Sequence, residues 1–200
     1  MTQTTEAVTL INAFEVPPDA DEPFIAGWER ARAVLAVMQS ASASPSLHRA
    51  LRREARFRFV DVGRTQSLDG WREALTDPLL PEPEAAFPAH PGAYEIVHED
   101  GMPDGTDGVV LINPFEVPAG EDERFLDGWG AARDRLAARP GYLGTRLHRS
   151  VAPSDFRFVN IARWSSPLAF ANAIQQAEAQ QAAAAIPFRS HPALYLVVRR

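Results

Sequence analysis

The chain of 200 residues contains no cysteine, which removes disulfides, thiolate metal sites and a cysteine nucleophile together. It also lacks any apolar run approaching the length of a membrane span, and its first residues, MTQTTEAVTL, carry no basic stretch of the kind that opens a secretion signal. A soluble, cytoplasmic protein is expected. Positive charge is in deficit: the net charge is −6 and the pI about 5.4, which argues against nucleic acid or an anionic membrane as partner. Glycine-rich phosphate loops, a dinucleotide fingerprint, a nucleophile elbow and paired metal-binding histidines are all missing. No metal or organic cofactor is therefore expected.

What is present is an internal duplication. Leu10–Pro17 reads LINAFEVP and Leu111–Pro118 reads LINPFEVP. The same register carries Phe24 onto Phe125, Trp28 onto Trp129, Arg32 onto Arg133 and Leu35 onto Leu136. After a one-residue slip, LHR recurs at Leu47–Arg49 and Leu147–Arg149, and FRFV at Phe57–Val60 and Phe156–Val159. The first register returns at His90-Pro91 and His191-Pro192. The slips fall between matched blocks, where loops absorb insertions cheaply. Residues 1–98 are thus read as one repeat, 99–108 as a Gly/Asp/Pro-rich linker, and 109–200 as a second repeat.

Each repeat reads β-α-β-β-α-β. In the second, Val109–Val117 is a β-branched strand, and Glu121–Arg139 places Phe125, Leu126, Trp129, Ala132 and Leu136 on one helical face. Pro140-Gly141 ends that helix. Tyr142–Val151 and Phe156–Trp164 follow as strands, Ser166-Pro167 starts a second helix, and Ala193–Arg199 is the last strand. The first repeat follows the same plan, with helices at Asp19–Met38 and Ser67–Thr76. The expected fold class is α+β: tandem ferredoxin-like repeats. Apolar residues on both faces of the Phe156–Trp164 strand predict that the two sheets pack on each other as an intramolecular α/β barrel, a pseudo-dimer within one chain.

Two amides interrupt these apolar rows. Asn113 shares a strand face with Leu111, Phe115 and Val117, and Asn160 shares one with Phe156, Phe158, Ala162 and Trp164. A buried amide is costly unless hydrogen-bonded, so each needs a protein partner or a ligand. A bond to backbone, or between the two amides, satisfies the same requirement, and a core position for Trp164 is the commoner use of a tryptophan. His48 and His148, like His90 and His191, occupy equivalent positions; solvated or structurally bonded histidines are the simpler reading. His98 stands alone and reads as a surface residue.

The strings FVNIARWSSPLAF (Phe158–Phe170), LIN (Leu111–Asn113) and PGYLGTRLHR (Pro140–Arg149) resemble the antibiotic biosynthesis monooxygenase family, in particular cofactor-independent anthrone oxygenases of aromatic polyketide pathways. The resemblance implies a small aromatic substrate, dioxygen as co-substrate, and a quinone as product. It implies catalytic roles for Asn113, Asn160 and Trp164, with Phe115, Phe158, His148 and His191 against the substrate. The first repeat departs from the pattern: Asn12 is kept, but Asp61 and Thr65 stand at the positions of Asn160 and Trp164. Its site is expected to be degenerate. A haem-degrading relative would need a histidine ligand on the second helix, and none lies between Trp164 and Pro187. A polyketide cyclase of the same fold and a non-catalytic binding protein are the alternative readings.

Overall fold

The computed structural model describes residues 8–37, 43–65, 68–75, 87–101, 107–176, 181 and 186–200. It divides into two compact units: Met1–Glu95 with Val151–Ser154 and Val197–Arg200, and Ile96–Ser150 with Asp155–Leu196. Each is ferredoxin-like, so the chain is an α+β protein of two tandem repeats.

The first unit contains β1 (Val8–Phe14), α1 (Asp21–Val37), β2 (Ala43–Ala50), β3 (Phe59–Thr65), α2 (Leu68–Leu75) and the start of β4 (Ala89–Gly101). The antiparallel order is β4-β1-β3-β2. Its helix-to-sheet core is aromatic: Phe24 of α1 stacks on Phe59 of β3 with ring centroids 4.5 Å apart, beside Val16 and Leu47.

The second unit repeats this plan with β5 (Val109–Glu116), α3 (Asp122–Ala137), β6 (Tyr142–Ser150), β7 (Phe158–Trp164), α4 (Pro167–Gln175), the short β8 (Arg189–Ser190) and β9 (Ala193–Arg199). Here the order is β6-β7-β5-β9, with β8 also along β5. Phe125 stacks on Phe158 at 4.3 Å, the counterpart of Phe24 on Phe59. Asp122 and Glu123 sit in the first turn of α3, where the helix dipole favours negative charge. Ser166 caps α4 by accepting from the Ala169 N–H, and Pro167 occupies the first turn, where it costs no hydrogen bond. Between α3 and β6 the chain turns at Gly141 with φ +88°; a Cβ there would lie 2.5 Å from that of Ala169, so only glycine fits.

Element boundaries shift by one or two residues from those expected. Met38, Ser67 and Thr76, expected helix ends, lie outside the described residues. Two differences matter more. Glu99, Asp100 and Gly101, expected to begin the linker, continue β4, and Ile96–Gly101 belong to the second unit. The reason is Asp100, whose carboxylate accepts from the Tyr142 hydroxyl and the Thr145 backbone N–H of β6. In addition, β8, which no periodicity marks, pairs Arg189 and Ser190 with Glu116 and Phe115.

Candidate functional site

The second unit encloses a cavity of about 540 Å³ between its sheet and its helices, within the range of small-molecule sites. Leu111, Asn113 and Phe115 enter it from β5, and Asn160, Ala162 and Trp164 from β7. Period-two alternation puts each trio on one face, and the ladder sets Asn113 directly opposite Asn160. Trp129, Arg133 and Leu136 of α3 form the facing wall, with Phe170 of α4. The lining is mainly apolar, as a site for an aromatic ligand requires.

The polar groups in it are incompletely satisfied by the protein. Trp164 is fully buried, its indole N–H without a partner, and its ring packs edge-on against Tyr142 and Phe170. Asn113 Oδ1 is buried and equally unpartnered. The Thr145 hydroxyl lies 2.8 Å from Asn160 Oδ1 and 3.1 Å from the Ile161 carbonyl. Both are acceptors, so the Thr145 proton is directed toward them and the Asn160 NH₂ is left for the cavity. On the helix wall, Arg133 directs Nη1 toward Asp100 Oδ2 at 3.3 Å and Nη2 toward Asp134 Oδ1 at 3.0 Å, while its Nε is buried without a partner. A donor-rich apolar chamber of this kind can hold a planar ring system and hydrogen-bond its oxygens.

Four of the seven anticipated residues meet at this cavity: Asn113, Asn160, Trp164 and Phe115. Phe158 shares the sheet face but is consumed by its stack on Phe125, in the core cluster at the Phe115 end of that face. His148 and His191, expected against the substrate, are not among the lining residues. His148 is buried, and its Nδ1–H donates to the Val159 carbonyl at 3.2 Å. His191 donates from Nε2 to Glu116 at 2.7 Å. The first repeat duplicates both bonds, His48 to Val60 and His90 to Glu15, each at 3.2 Å. Bonds made identically under two different sets of pocket residues belong to the architecture. Burial pulls His48 down to about 4, so it sits neutral in the fold. His98 is half-buried, not a free surface residue: it bonds Asp100 and lies edge-on to Trp129.

Tyr142, Thr145 and Arg133 were not singled out from the sequence. The one available signal was that Tyr142 and Thr145 lie inside the PGYLGT string that the first repeat lacks. Among the described residues, no group of three or more histidine, aspartate or glutamate side chains is placed to hold a metal ion, and no helix is long and apolar enough to cross a membrane.

Comparison with known proteins places these features. Residues 108–185 match the family model for antibiotic biosynthesis monooxygenase. Among solved structures, an anthrone oxidase-like protein is similar over 97% of this chain and 92% of its own, with 16% identity and a TM-score of 0.75, so the tandem fold as a whole is shared. A monooxygenase candidate from Shewanella loihica PV-4 is 41% identical over 46% of this chain and 95% of its own, with a TM-score of 0.42. SnoaB, a cofactor-independent oxygenase from Streptomyces nogalater, is 26% identical over 46% of this chain and 94% of its own, also at 0.42. No curated protein sequence matches significantly. The family match falls on the repeat that holds the cavity, and the chain belongs to the antibiotic biosynthesis monooxygenase family.

Proposed function

We propose that the protein is a cofactor-independent oxygenase that binds an aromatic polyketide of the anthrone type in the second unit and oxidises it to a quinone with dioxygen. The observation that carries this reading is the convergence of Asn113, Asn160 and Trp164 on one wall of an otherwise apolar cavity, with Asn113 Oδ1 and the Trp164 indole N–H unpartnered. The family match and the fold shared with an anthrone oxidase-like protein support it.

An anthrone is acidic at its ring methylene. Its enolate is electron-rich enough to pass an electron to dioxygen, so the substrate itself supplies the reducing power. Recombination gives a carbon-bound peroxide, and loss of water leaves the carbonyl: one oxygen atom stays in the quinone, the other leaves with the two methylene hydrogens. The protein's part is to exclude water, hold the rings flat, and stabilise the enolate oxygen as charge develops. The Asn160 amide and the Trp164 indole are the donors suited to that oxygen, and Phe115 and Leu111 supply apolar contact.

Incubation with dithranol in air and under argon tests this. Expected is oxygen-dependent formation of the quinone, heavier by one oxygen and lighter by two hydrogens, well above the rate without protein. A rate equal to the protein-free control overturns the reading, and oxygen-independent turnover favours a cyclase.

A further inference from the structure

We propose that Asp100 is a positioning residue of this cavity: it commits the Tyr142 hydroxyl as a hydrogen-bond acceptor and so selects ligands that carry a free phenolic hydroxyl. The inference rests on reading the cavity as the substrate site.

Asp100 enters on the second half of β4, and donors surround it. Oδ1 accepts from the Tyr142 hydroxyl at 2.6 Å and from the Thr145 N–H at 3.2 Å. Oδ2 lies 3.2 Å from His98 Nε2 and 3.3 Å from Arg133 Nη1. Desolvation opposes ionisation, but the bonds from Tyr142 and His98, the charge of Arg133 and the Thr145 N–H outweigh it, and the carboxyl is held below its ordinary range. An ionised carboxylate has no proton to give, so the phenol proton of Tyr142 belongs to this bond. Burial, and then Asp100 itself, push Tyr142 far above the usual phenol range.

A hydroxyl whose single proton is committed offers only lone pairs to anything else. Tyr142 lines the cavity and touches Trp164 edge-on, with ring centroids 5.4 Å apart. Two adjacent rings therefore present opposite polarity: the indole can only donate, and the phenol oxygen can only accept. Through Thr145 the same carboxylate reaches the amide of Asn160, because Asp100 fixes the Thr145 backbone while the Thr145 hydroxyl turns the Asn160 oxygen away from the cavity. A ligand matching this pattern carries a carbonyl for the donors and a phenolic hydroxyl for Tyr142. A ligand without the hydroxyl leaves that acceptor desolvated and unpaired, which is the costlier error.

The test is equilibrium binding to the full chain, read by quenching of tryptophan fluorescence at mildly acidic pH, with 2-hydroxyanthraquinone against unsubstituted anthraquinone. The wild type is expected to prefer the hydroxylated quinone by roughly tenfold. Tyr142→Phe should bring the two affinities to within about twofold, chiefly by tightening anthraquinone, which no longer buries an unpaired oxygen. Asp100→Asn should lose the preference to the same degree and also bring one phenol, absent from the Tyr142→Phe titration, down toward the ordinary range in alkaline ultraviolet difference spectra. An unchanged preference in Tyr142→Phe overturns the proposal, and this holds even where Asp100→Asn does not fold. Loss of preference in Asp100→Asn without movement of that phenol also overturns it. Because binding needs no dioxygen, a protein that shows this selectivity but oxidises no anthrone upholds the assignment of Asp100 and overturns only the oxygenase reading.

Discussion

In the first repeat Asn12 faces Asp61 across the β1–β3 ladder, and in the second Asn113 faces Asn160 across β5–β7. Four rungs along each ladder, Val8 pairs with Thr65 and Val109 with Trp164. Backbone register and aromatic core are therefore the same in both, and so are the two histidine bonds. The difference that bears on the site lies on the face that carries the cavity in the second repeat. There the first repeat has a carboxylate for an amide and a threonine for an indole, while Pro45 stands where Thr145 orients Asn160. A duplicated scaffold tolerates this divergence because its stability resides in the shared contacts. An acidic Asp61 would repel an enolate that the second repeat's neutral amide can accept, and on that ground we propose that the working pocket is the second repeat's.

The sharpest way to break this comparison is by turnover. Asn160→Ala and Trp164→Phe are expected to lower the oxygenation rate by about 10²–10³, or about 2.7–4 kcal/mol, as for other single donors aimed at an oxyanion. The melting temperature should barely change, and Asp61→Ala and Thr65→Ala should stay within about threefold of wild type, since they touch no transition state. Steady-state rates and thermal melts decide; inactive first-repeat variants beside active second-repeat ones would reverse the assignment.

A second contrast concerns stability. Arg58 and Arg157 make the same forked bond to the first turn of the helix, to Asp21 and to Asp122, and each also donates to a strand-end carbonyl. The Arg58 side chain is 7% exposed and that of Arg157 36%. Removing the buried member leaves Asp21 with only the looser Arg49 contact at 3.7 Å, so Arg58→Ala should cost about 3 kcal/mol, against about 1 kcal/mol or less for Arg157→Ala. Urea unfolding midpoints would show it, and equal losses would mean that solvent screens both pairs alike.

The smallest effect is pH-dependent. Burial pushes Asp61 up to about 6 from an ordinary 3.8, against the opposing pull of Arg32 and Trp28. The folded state thus holds this proton more tightly than the unfolded chain, and the resulting stability is full below about pH 3.8 and lost as pH rises through 6. Asp61→Asn, which restores the second repeat's residue, should stabilise by about 2 kcal/mol at neutral pH and by almost nothing at acidic pH. Melts across that window measure it. A gain that is flat with pH would place the effect elsewhere.

The duplication, the order of elements and the faces of β5 and β7 were legible because period-two alternation and repeated strings report on the backbone directly. Asn113, Asn160 and Trp164 stood out for a related reason: a polar or very large residue in an apolar row must be accounted for. Tyr142 and Arg133 carried no such mark, because a tyrosine near a helix end and an arginine in a helix suit any solvated surface. Asp100 was hidden more deeply. In EDGMPDGTDG its neighbours have the composition of a linker, and only a tertiary partner on β6 draws it into a strand. The histidines misled in the opposite way, since recurrence at matched positions is equally the mark of a site and of a scaffold. Only their bonds separate the two.

The extension of β4 bears on how this gene can be divided. The sequence repeat opens at Val109 and the family match at residue 108, yet the second unit begins at Ile96, and the last residues of the chain, Val197–Arg200, count with the first unit. The unit of sequence repetition and the unit of structure therefore do not coincide. An excised second repeat cloned from its homology boundary would leave Asp100 behind, on the wrong side of the cut, although every residue that marks the family would be retained. A cut at the repeat junction made for any other purpose would have the same fault, and a cut ahead of Ile96 would avoid it.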